Sequence, residues 1–153
     1  MGDIRRKHNL YSRPKKMFEA SRIENDNKVQ KEYGLKSKTE VWKAAAKVAG
    51  FRKRAKKLIS TKGKESEEFF QRLQNMGLEV KVTSDVLALT AEAVLNRRLQ
   101  TMVFKKGLAR TILEARQLIT HKNVIVDERI VNIPSFSVSK NLENKISLKE
   151  RKN

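Results

Sequence analysis

The sequence predicts a mainly helical α+β fold, with a basic N-terminal arm, a helical domain, and a small module of two helices and a β-hairpin. Three observations carry this prediction. Capping boxes at Ser37 and Thr111 each precede apolar residues at helical spacing. Two β-branched triplets separated by two residues follow the second helix and indicate a hairpin. About the first twenty residues are rich in cations and show neither helical nor strand periodicity.

The charge is strongly positive and unevenly distributed. The 153 residues include 35 Lys or Arg and 17 Asp or Glu, a net charge of +18. Residues 1–64 hold 20 basic and 6 acidic residues, residues 65–96 hold 2 and 6, and residues 97–153 hold 13 and 5. Two basic blocks therefore flank an acidic segment. This distribution predicts two basic surfaces and an acidic partner: nucleic acid, an anionic membrane surface or an acidic protein.

Length and composition exclude several classes of protein. A chain of 153 residues fits one ordinary domain or two small ones and argues against a large multi-domain enzyme. The absence of cysteine excludes disulfides, thiolate zinc sites and cysteine nucleophiles, and fits a reducing compartment such as the cytoplasm. The longest apolar run, residues 86–89, is far too short to span a membrane, and no signal region precedes it. We expect a cytoplasmic protein with no membrane partner.

Residues 1–36 are predicted to form the basic arm. Such arms often become ordered only on a polyanion, so the functional interpretation and a merely solvated tail differ in whether the partner is present. The candidate contacts in the arm are Arg5, Arg6, Lys7, Arg13, Lys15 and Lys16.

Residues 37–93 are predicted to form the helical domain, beginning with the capping box of Ser37 and Glu40. The apolar face of this helix is Val41, Ala45, Val48, Ala49 and Ala55. Gly50 weakens the helix by about 1 kcal/mol relative to Ala, which predicts a bend or break there. The dense cations on its other faces either bind phosphate or form a solvated surface; they are Lys43, Lys47, Arg52, Lys53, Arg54, Lys56 and Lys57.

A shorter helix is predicted over residues 65–76. Phe69, Leu73 and Met76 share a face, acidic residues suit the positive N-terminal end, and Gly77 closes the helix. The pair Phe69 and Phe70 is interpreted as core, because its acidic surroundings argue against stacking on bases.

Residues 94–146 are predicted to form the two-helix and hairpin module, followed by a basic tail at 147–153. Its first helix begins near Thr90 and ends at Gly107, with Arg97 and Gln100 directed away from the apolar stripe. Arg98 falls near the edge of that stripe, where its methylenes support packing while its guanidinium binds. The apolar stripe is Val94, Leu95, Leu99, Met102 and Val103.

The second helix of the module begins at the Thr111 capping box. The short basic loop at 105–110 lies beside the backbone amides at this helix start, a combination that favours an incoming phosphate. The hairpin follows, with residues 124–126 and 129–131 joined by Asp127 and Glu128. These two residues are a poor choice for a tight primed turn, so the register is the feature that the sequence defines least.

Five stretches carry a resemblance to a known family. They are DVL at 85–87, RRLQT at 97–101, KGLART at 106–111, EARQLI at 114–119 and VNIPSF at 131–136. Together they closely resemble the small-subunit ribosomal protein S-four family, in its archaeal and eukaryotic form. The resemblance is dense over residues 85–138 and looser over the first sixty residues, where Gly2-Asp3, Tyr33-Gly34-Leu35 and the Trp42 helix are also similar.

The resemblance implies a structural constituent of the small ribosomal subunit that binds small-subunit ribosomal RNA early in assembly. It also implies a position near the path by which messenger RNA enters the subunit, an influence on translational accuracy, and neighbouring small-subunit ribosomal proteins as partners. The two helices and their loop carry the RNA contact in this family. It therefore assigns RNA binding to Arg97, Arg98, Lys105, Lys106, Arg110, Arg116 and Gln117, and Thr111, His121 and Lys122 complete the candidate set.

Bacterial relatives in this family bind zinc through N-terminal cysteines, and this chain has none, so no metal or cofactor is expected. An enzyme is not expected either, because the chain has no Gly-rich phosphate loop and only His8 and His121 as histidines. Two alternatives stay open. One is a free-standing, ribosome-associated RNA-binding stress or rescue factor, and the other is a fragment of an RNA-modifying enzyme. The basic N-terminal half favours the ribosomal constituent.

Overall fold

The computed structural model describes residues 10–59 and 63–149, and every structural statement below refers to those ranges. The predicted contacts Arg5, Arg6 and Lys7 lie outside them. The described chain is mainly helical with one small antiparallel sheet, which confirms the predicted fold class. Its helices are α1 (Ala20–Glu32), α2 (Lys38–Ile59), α3 (Lys64–Asn75), α4 (Thr83–Ala88), α5 (Ala91–Asn96), α6 (Leu99–Lys105) and α7 (Ile112–Thr120). Its strands are β1 (Val124–Val126), β2 (Arg129–Ile130) and β3 (Ile146–Leu148), and Lys140–Lys145 forms a 3₁₀ helix.

Helix α1 lies within the segment that the sequence predicts as an arm. Its apolar pattern is weak, and tertiary contacts hold it: buried Asp26 accepts a hydrogen bond from Trp42 Nε1 on α2 at 3.0 Å. The turn after α1 then buries Tyr33 and Leu35 in a cluster with Val41 and other residues of α2 and α5. The predicted arm is therefore partly a folded helix, because packing supplies what its periodicity lacks.

Helix α2 runs without interruption through Gly50, so the predicted break at this glycine is wrong. Its buried residues are Val41, Ala44, Val48 and Ala55, whereas the predicted core residues Ala45 and Ala49 are exposed. The buried set falls within one narrow stripe of a 3.6-residue helix, and Ala45 and Ala49 lie to one side of it.

Helices α3 and α4 complete the N-terminal core against α2. Phe69 and Leu73 are buried as predicted, and the helix ends before Gly77, whose φ is +77°. Val86 on α4 joins the same cluster. Asp85 accepts hydrogen bonds from the backbone N–H groups of Lys81 and Val82, which satisfies donors that the start of α4 leaves open.

The single helix predicted from Thr90 to Gly107 is instead two helices, α5 and α6. The chain is extended at Arg98, with φ −75° and ψ 145°. Val138 N–H donates to the Arg97 carbonyl at 2.9 Å, and Leu99 N–H donates to the Phe136 carbonyl at 2.8 Å. These pairings take backbone groups that a continuous helix would use, so the returning segment 134–138 breaks the helix.

The second core lies between α6, α7 and the sheet, and buries Leu99, Val103, Ile119, Val124 and Val138 among others. The strand order is β2-β1-β3, with both pairs antiparallel. The sequence pattern missed β3, which is only three residues long with one of them buried. Residues 147 and 148, predicted to begin a basic tail, therefore belong to the sheet.

The predicted hairpin is confirmed, with Ile125 opposite Ile130 and Val126 opposite Arg129. Asp127 and Glu128 have φ of 50° and 66°, so both turn residues adopt the left-handed conformation that a primed turn requires. Contacts from the 3₁₀ helix hold this turn: Lys145 Nζ lies 2.6 Å from Asp127 Oδ1, and the Asp127 N–H donates to the Lys145 carbonyl at 3.1 Å.

None of the helices in the described ranges is long and apolar enough to cross a membrane.

We expect Glu128→Gly to raise the free energy of unfolding by about 0.5–1 kcal/mol. Glycine removes the penalty of about 1–2 kcal/mol for the left-handed conformation. Part of this gain is offset because a glycine loses more conformational entropy on folding. Urea unfolding followed by circular dichroism measures the change. The matched control is Arg129→Gly in β2, which has no positive φ to relieve and should lower stability. A loss of stability in Glu128→Gly would contradict the strain at this turn.

Candidate nucleic-acid interface

The cations that the sequence predicts on α2 are all exposed: Lys43, Lys47, Arg52, Lys53, Arg54, Lys56 and Lys57. Three of them contact neutral groups. Lys43 Nζ lies 5.9 Å from the Tyr11 ring centroid, Arg54 lies 5.3 Å from that of Phe69, and Arg52 Nη2 donates to the Leu89 carbonyl at 2.6 Å. These contacts orient the side chains and leave their positive charge unneutralised.

Arg13, Lys15 and Lys16, predicted in the arm, are also exposed and lie just before α1. Arg22 on α1 ties this segment to the fold, because its Nη2 donates to the carbonyls of Lys16 at 2.9 Å and Met17 at 3.0 Å. Lys16 therefore extends from a backbone that is held to α1, and Arg13 and Lys15 shortly precede it.

The predicted contacts on the loop and helices of the module are exposed at Lys105, Arg110, Thr111, Gln117, His121 and Lys122, and half-buried at Lys106. The capping box at the start of α7 is confirmed: Glu114 N–H donates to Thr111 Oγ1 at 3.1 Å. Glu114 reaches back to the N–H of Arg110 at 2.7 Å. The box thereby fixes the backbone of Arg110 while its guanidinium stays exposed.

Arg98 and Arg116 occupy a different environment from these exposed cations. Arg98 is only 7% exposed, and its Nη2 contacts one carboxylate oxygen of Glu40. Arg116 Nη2 lies 3.0 Å from the other oxygen of the same carboxylate. Glu40 lies in the first turn of α2, so one carboxylate joins the N-terminal helices to both helices of the module. We name Glu40, Arg98, Arg116 and Gln100 the inter-domain network.

Gln100 extends the network, contrary to the prediction that it points away from the core. It is 1% exposed, and its Oε1 accepts from Arg116 Nη1 at 3.2 Å. Its Nε2 donates to the carbonyls of Gly34 and Ile112, both at 3.0 Å. Gly34 has φ +55°, and a Cβ there would lie 2.8 Å from Ile112 Cγ2. Glycine is needed at this position for both conformation and space.

Arg97 forms a second connection between the two cores. Its Nη1 lies 3.0 Å from Glu143 Oε2, and its Nη2 donates to the Val138 carbonyl at 3.1 Å. Its guanidinium also packs on Gly77, where a Cβ would lie 2.3 Å from Arg97 Cζ. Arg97 therefore joins the end of α3 to the returning segment of the module.

The ion pairs of the network shift the titration of Glu40. Burial of this carboxyl raises its pKa, but hydrogen bonds and charge from Arg98 and Arg116 outweigh burial and hold the pKa below its ordinary value. The folded state therefore favours the ionised form of Glu40. As a result, the two contacts stabilise the fold at pH values above the ordinary pKa of Glu.

The structure thus divides the predicted contacts into two sets. Exposed cations lie on α2, on the loop at 105–110 and at Lys122 after α7, whereas Arg97, Arg98 and Arg116 are held in internal ion pairs. Sequence reasoning assigned Glu40 to a helix cap and missed its role in the network. One signal was present: Glu40 is the single acidic residue between Glu32 and Glu65, in a segment crowded with cations. Among the described residues, no cluster of His, Asp and Glu is placed to hold a metal ion.

Comparisons with known proteins agree with this architecture. The S4 domain family matches residues 97–144. The small ribosomal subunit protein uS4 of Methanothermobacter thermautotrophicus is 41% identical over 152 residues, which cover 95% of this chain and 89% of the relative. The protein of the same name from Methanococcus aeolicus is 39% identical over 90% of this chain and 82% of its own. That from Ignicoccus hospitalis is 39% identical over 94% and 90%.

We expect Glu40→Gln to lower the free energy of unfolding by about 2–3 kcal/mol, because two partly buried guanidinium groups lose their counter-charge. The measurement is urea unfolding at pH 7, followed by circular dichroism. Glu24→Gln is the matched control, since Glu24 is exposed on α1. Equal effects of the two substitutions would remove Glu40 from its role between the domains.

The effect of Glu40→Gln should depend on pH. The contribution of Glu40 is complete above its ordinary pKa and is lost as the pH falls through its lowered folded-state pKa. We therefore expect the stability difference between wild type and Glu40→Gln to shrink towards zero as the pH falls from 7 to 3. Unfolding curves of both proteins at several pH values measure it. A difference of the same size at pH 3 would show that charge is not its origin.

Proposed function

We propose a function for this chain from the fact that it belongs to the family of small ribosomal subunit protein uS4. It is a structural constituent of the small ribosomal subunit in the cytoplasm and binds small-subunit ribosomal RNA. The similarity spans 90% or more of the chain, including the N-terminal helices, and a stress factor or enzyme fragment that shared only the module would lack that similarity. We propose that it has no catalytic role.

The RNA-binding surface in this proposal is the exposed part of the predicted set. The observation that carries it is the separation of exposed cations from internal ones. Lys105, Arg110 and Lys122 are exposed on the module, and the α2 cations are exposed on the N-terminal half. Arg98 and Arg116, by contrast, form ion pairs with Glu40. We assign RNA contact to the first group, together with Arg13, Lys15, Lys16, Lys106, Thr111, Gln117 and His121. Arg97, Arg98 and Arg116 act as positioning residues.

The mechanism is electrostatic capture followed by recognition of shape. Lys and Arg neutralise phosphates and release counterions, and hydroxyl and amide groups such as Thr111 and Gln117 fix orientation. A-form RNA has a major groove too deep and narrow for side chains to read, so sequence readout is secondary to the fold of the RNA. The inter-domain network holds two basic surfaces in a constant relation, which selects RNA that offers phosphates at matching positions.

We also propose that the chain joins the small subunit early in assembly and lies near the path by which messenger RNA enters, where it influences decoding accuracy. The family resemblance supports this position, and the exposed cations supply a surface for the message. Neighbouring small-subunit ribosomal proteins are further partners. Exposed apolar side chains such as Phe104 and Leu113 are available to them.

Binding to naked ribosomal RNA tests the proposal. We expect the full chain to bind small-subunit ribosomal RNA without other ribosomal proteins, to resist competition by duplex DNA, and to protect a limited set of nucleotides in chemical footprinting. Protection scattered evenly over the RNA, or equal competition by DNA, would contradict a specific assembly role. Crosslinking from modified messenger RNA in assembled subunits tests the position near the message, and absence of crosslinks to this chain would contradict it.

We expect Arg110→Ala to weaken binding to this RNA and to reduce the slope of log affinity against log salt by about one, because one phosphate contact is lost. Filter binding between 50 and 200 mM salt measures both. Arg129→Ala, an exposed cation on β2 outside the proposed surface, is the matched control and should leave the slope unchanged. Arg116→Ala should lower the free energy of unfolding while the salt slope stays close to that of wild type. An unchanged slope for Arg110→Ala would remove that residue from the interface.

A further inference from the structure

Gly50 lies in the middle of α2, where neither backbone conformation nor packing within the protein requires a glycine. Its φ is not in the left-handed region, and a Cβ built on it would have no atom within 4 Å apart from its chain neighbours and the backbone of its own helix. Glycine is unfavourable in a helix interior, where alanine would fit without strain. Gly34 and Gly77, by contrast, have both positive φ and crowded Cβ positions. The missing side chain at Gly50 therefore leaves space on the outside of the helix.

That space lies on the most basic face of α2. Lys43, Lys47, Arg54 and Lys57 are separated from one another by four, seven and three residues, with Gly50 in the central gap. At 100° per residue these five positions fall within about 40° of one line along the helix, so they form a single stripe. We name these five residues the α2 stripe. At 1.5 Å per residue it is about 21 Å long, and each of its cations is exposed.

Two clefts meet at Gly50. The larger, with a volume of about 780 Å³, lies between α2 and segment 134–137 and is lined by Lys43 and Lys47 among others. The smaller, about 420 Å³, is lined by Arg54 and Lys57. Gly50 lines both clefts, so they adjoin at this residue, and we name the two together the groove along the stripe.

We propose that the groove along the α2 stripe binds one RNA sugar-phosphate strand lengthwise, with the strand closest to the helix at Gly50. This inference rests on the proposed function and adds the mode of contact on the N-terminal half. Positive side chains on both sides of a gap without a side chain match a continuous polyanion better than an isolated phosphate.

Gly50→Ala should separate folding from binding. Alanine favours the helix, so the midpoint of thermal unfolding should rise by about 2–4 °C. The added methyl group pushes the RNA strand away from the helix, so affinity for small-subunit ribosomal RNA should fall by about threefold. Gly50→Leu should reduce the affinity by about tenfold and make the salt slope shallower by about one, since a phosphate moves out of reach of the stripe.

Ala49→Leu is the matched control. Ala49 is exposed on the same helix, about 100° from Gly50 and away from both clefts, so the same side chain there should leave RNA affinity within twofold of wild type. Circular dichroism and thermal unfolding confirm that each variant is folded. Filter binding at 100 mM salt uses the full chain and transcribed small-subunit ribosomal RNA, and ethylation interference maps the phosphates.

The results separate this inference from the proposed function. If wild type does not bind the ribosomal RNA in preference to duplex DNA, the proposed function fails. If wild type binds and the Gly50→Leu and Ala49→Leu variants have equal RNA affinity, the proposed function stands and close approach of the strand at Gly50 is overturned. Support requires the selective loss in Gly50→Leu. It also requires that ethylation interfere at adjacent phosphates of one strand, and that the substitution relieve this interference at the central phosphates.

Discussion

The carboxylate of Glu40 is the interaction on which the arrangement of the two halves depends. It accepts both Arg98 and Arg116, while Gln100 links Arg116 to the carbonyls of Gly34 and Ile112. Two apolar clusters lie one in each half, and a third joins Tyr33, Leu35 and Val41 to Leu95 and Ile112, so these polar contacts act together with apolar packing to set the angle between the N-terminal helices and the module. Hydrogen bonds and ion pairs are directional, and this geometry is more specific than apolar contact alone would give.

Positive charge therefore has two uses in one protein. The internal cations are all arginines, whose planar guanidinium groups donate to carboxylates and carbonyls at once. The exposed cations include both lysines and arginines, and three of those on α2 contact neutral groups. Only the second use leaves charge for RNA. The charge of +18 thus overstates the surface available to a polyanion, and burial identifies the part that remains.

Most of the fold was predictable from local signals. Capping residues and 3.6-residue periodicity located α2, α3 and α7, and paired β-branched triplets located the hairpin. The errors share a cause. Helix α1, the break at Arg97 and Arg98, and β3 all depend on contacts with distant segments, so short windows of sequence carry little sign of them. The same holds at the site, where exposed cations on α2 were predicted and the burial of Arg98 and Gln100 was not.

The sequence by itself determined the partner class and the family, because net charge, its division into blocks and the motifs between residues 85 and 138 are properties of residue order. Only the tertiary structure decided which cations face solvent. Arg98 and Arg110 are chemically equivalent in the sequence, but 58 residues separate Arg98 from the carboxylate that holds it. Pairing over that distance exists only when the two halves fold together, since residue order alone does not state which side chains become neighbours.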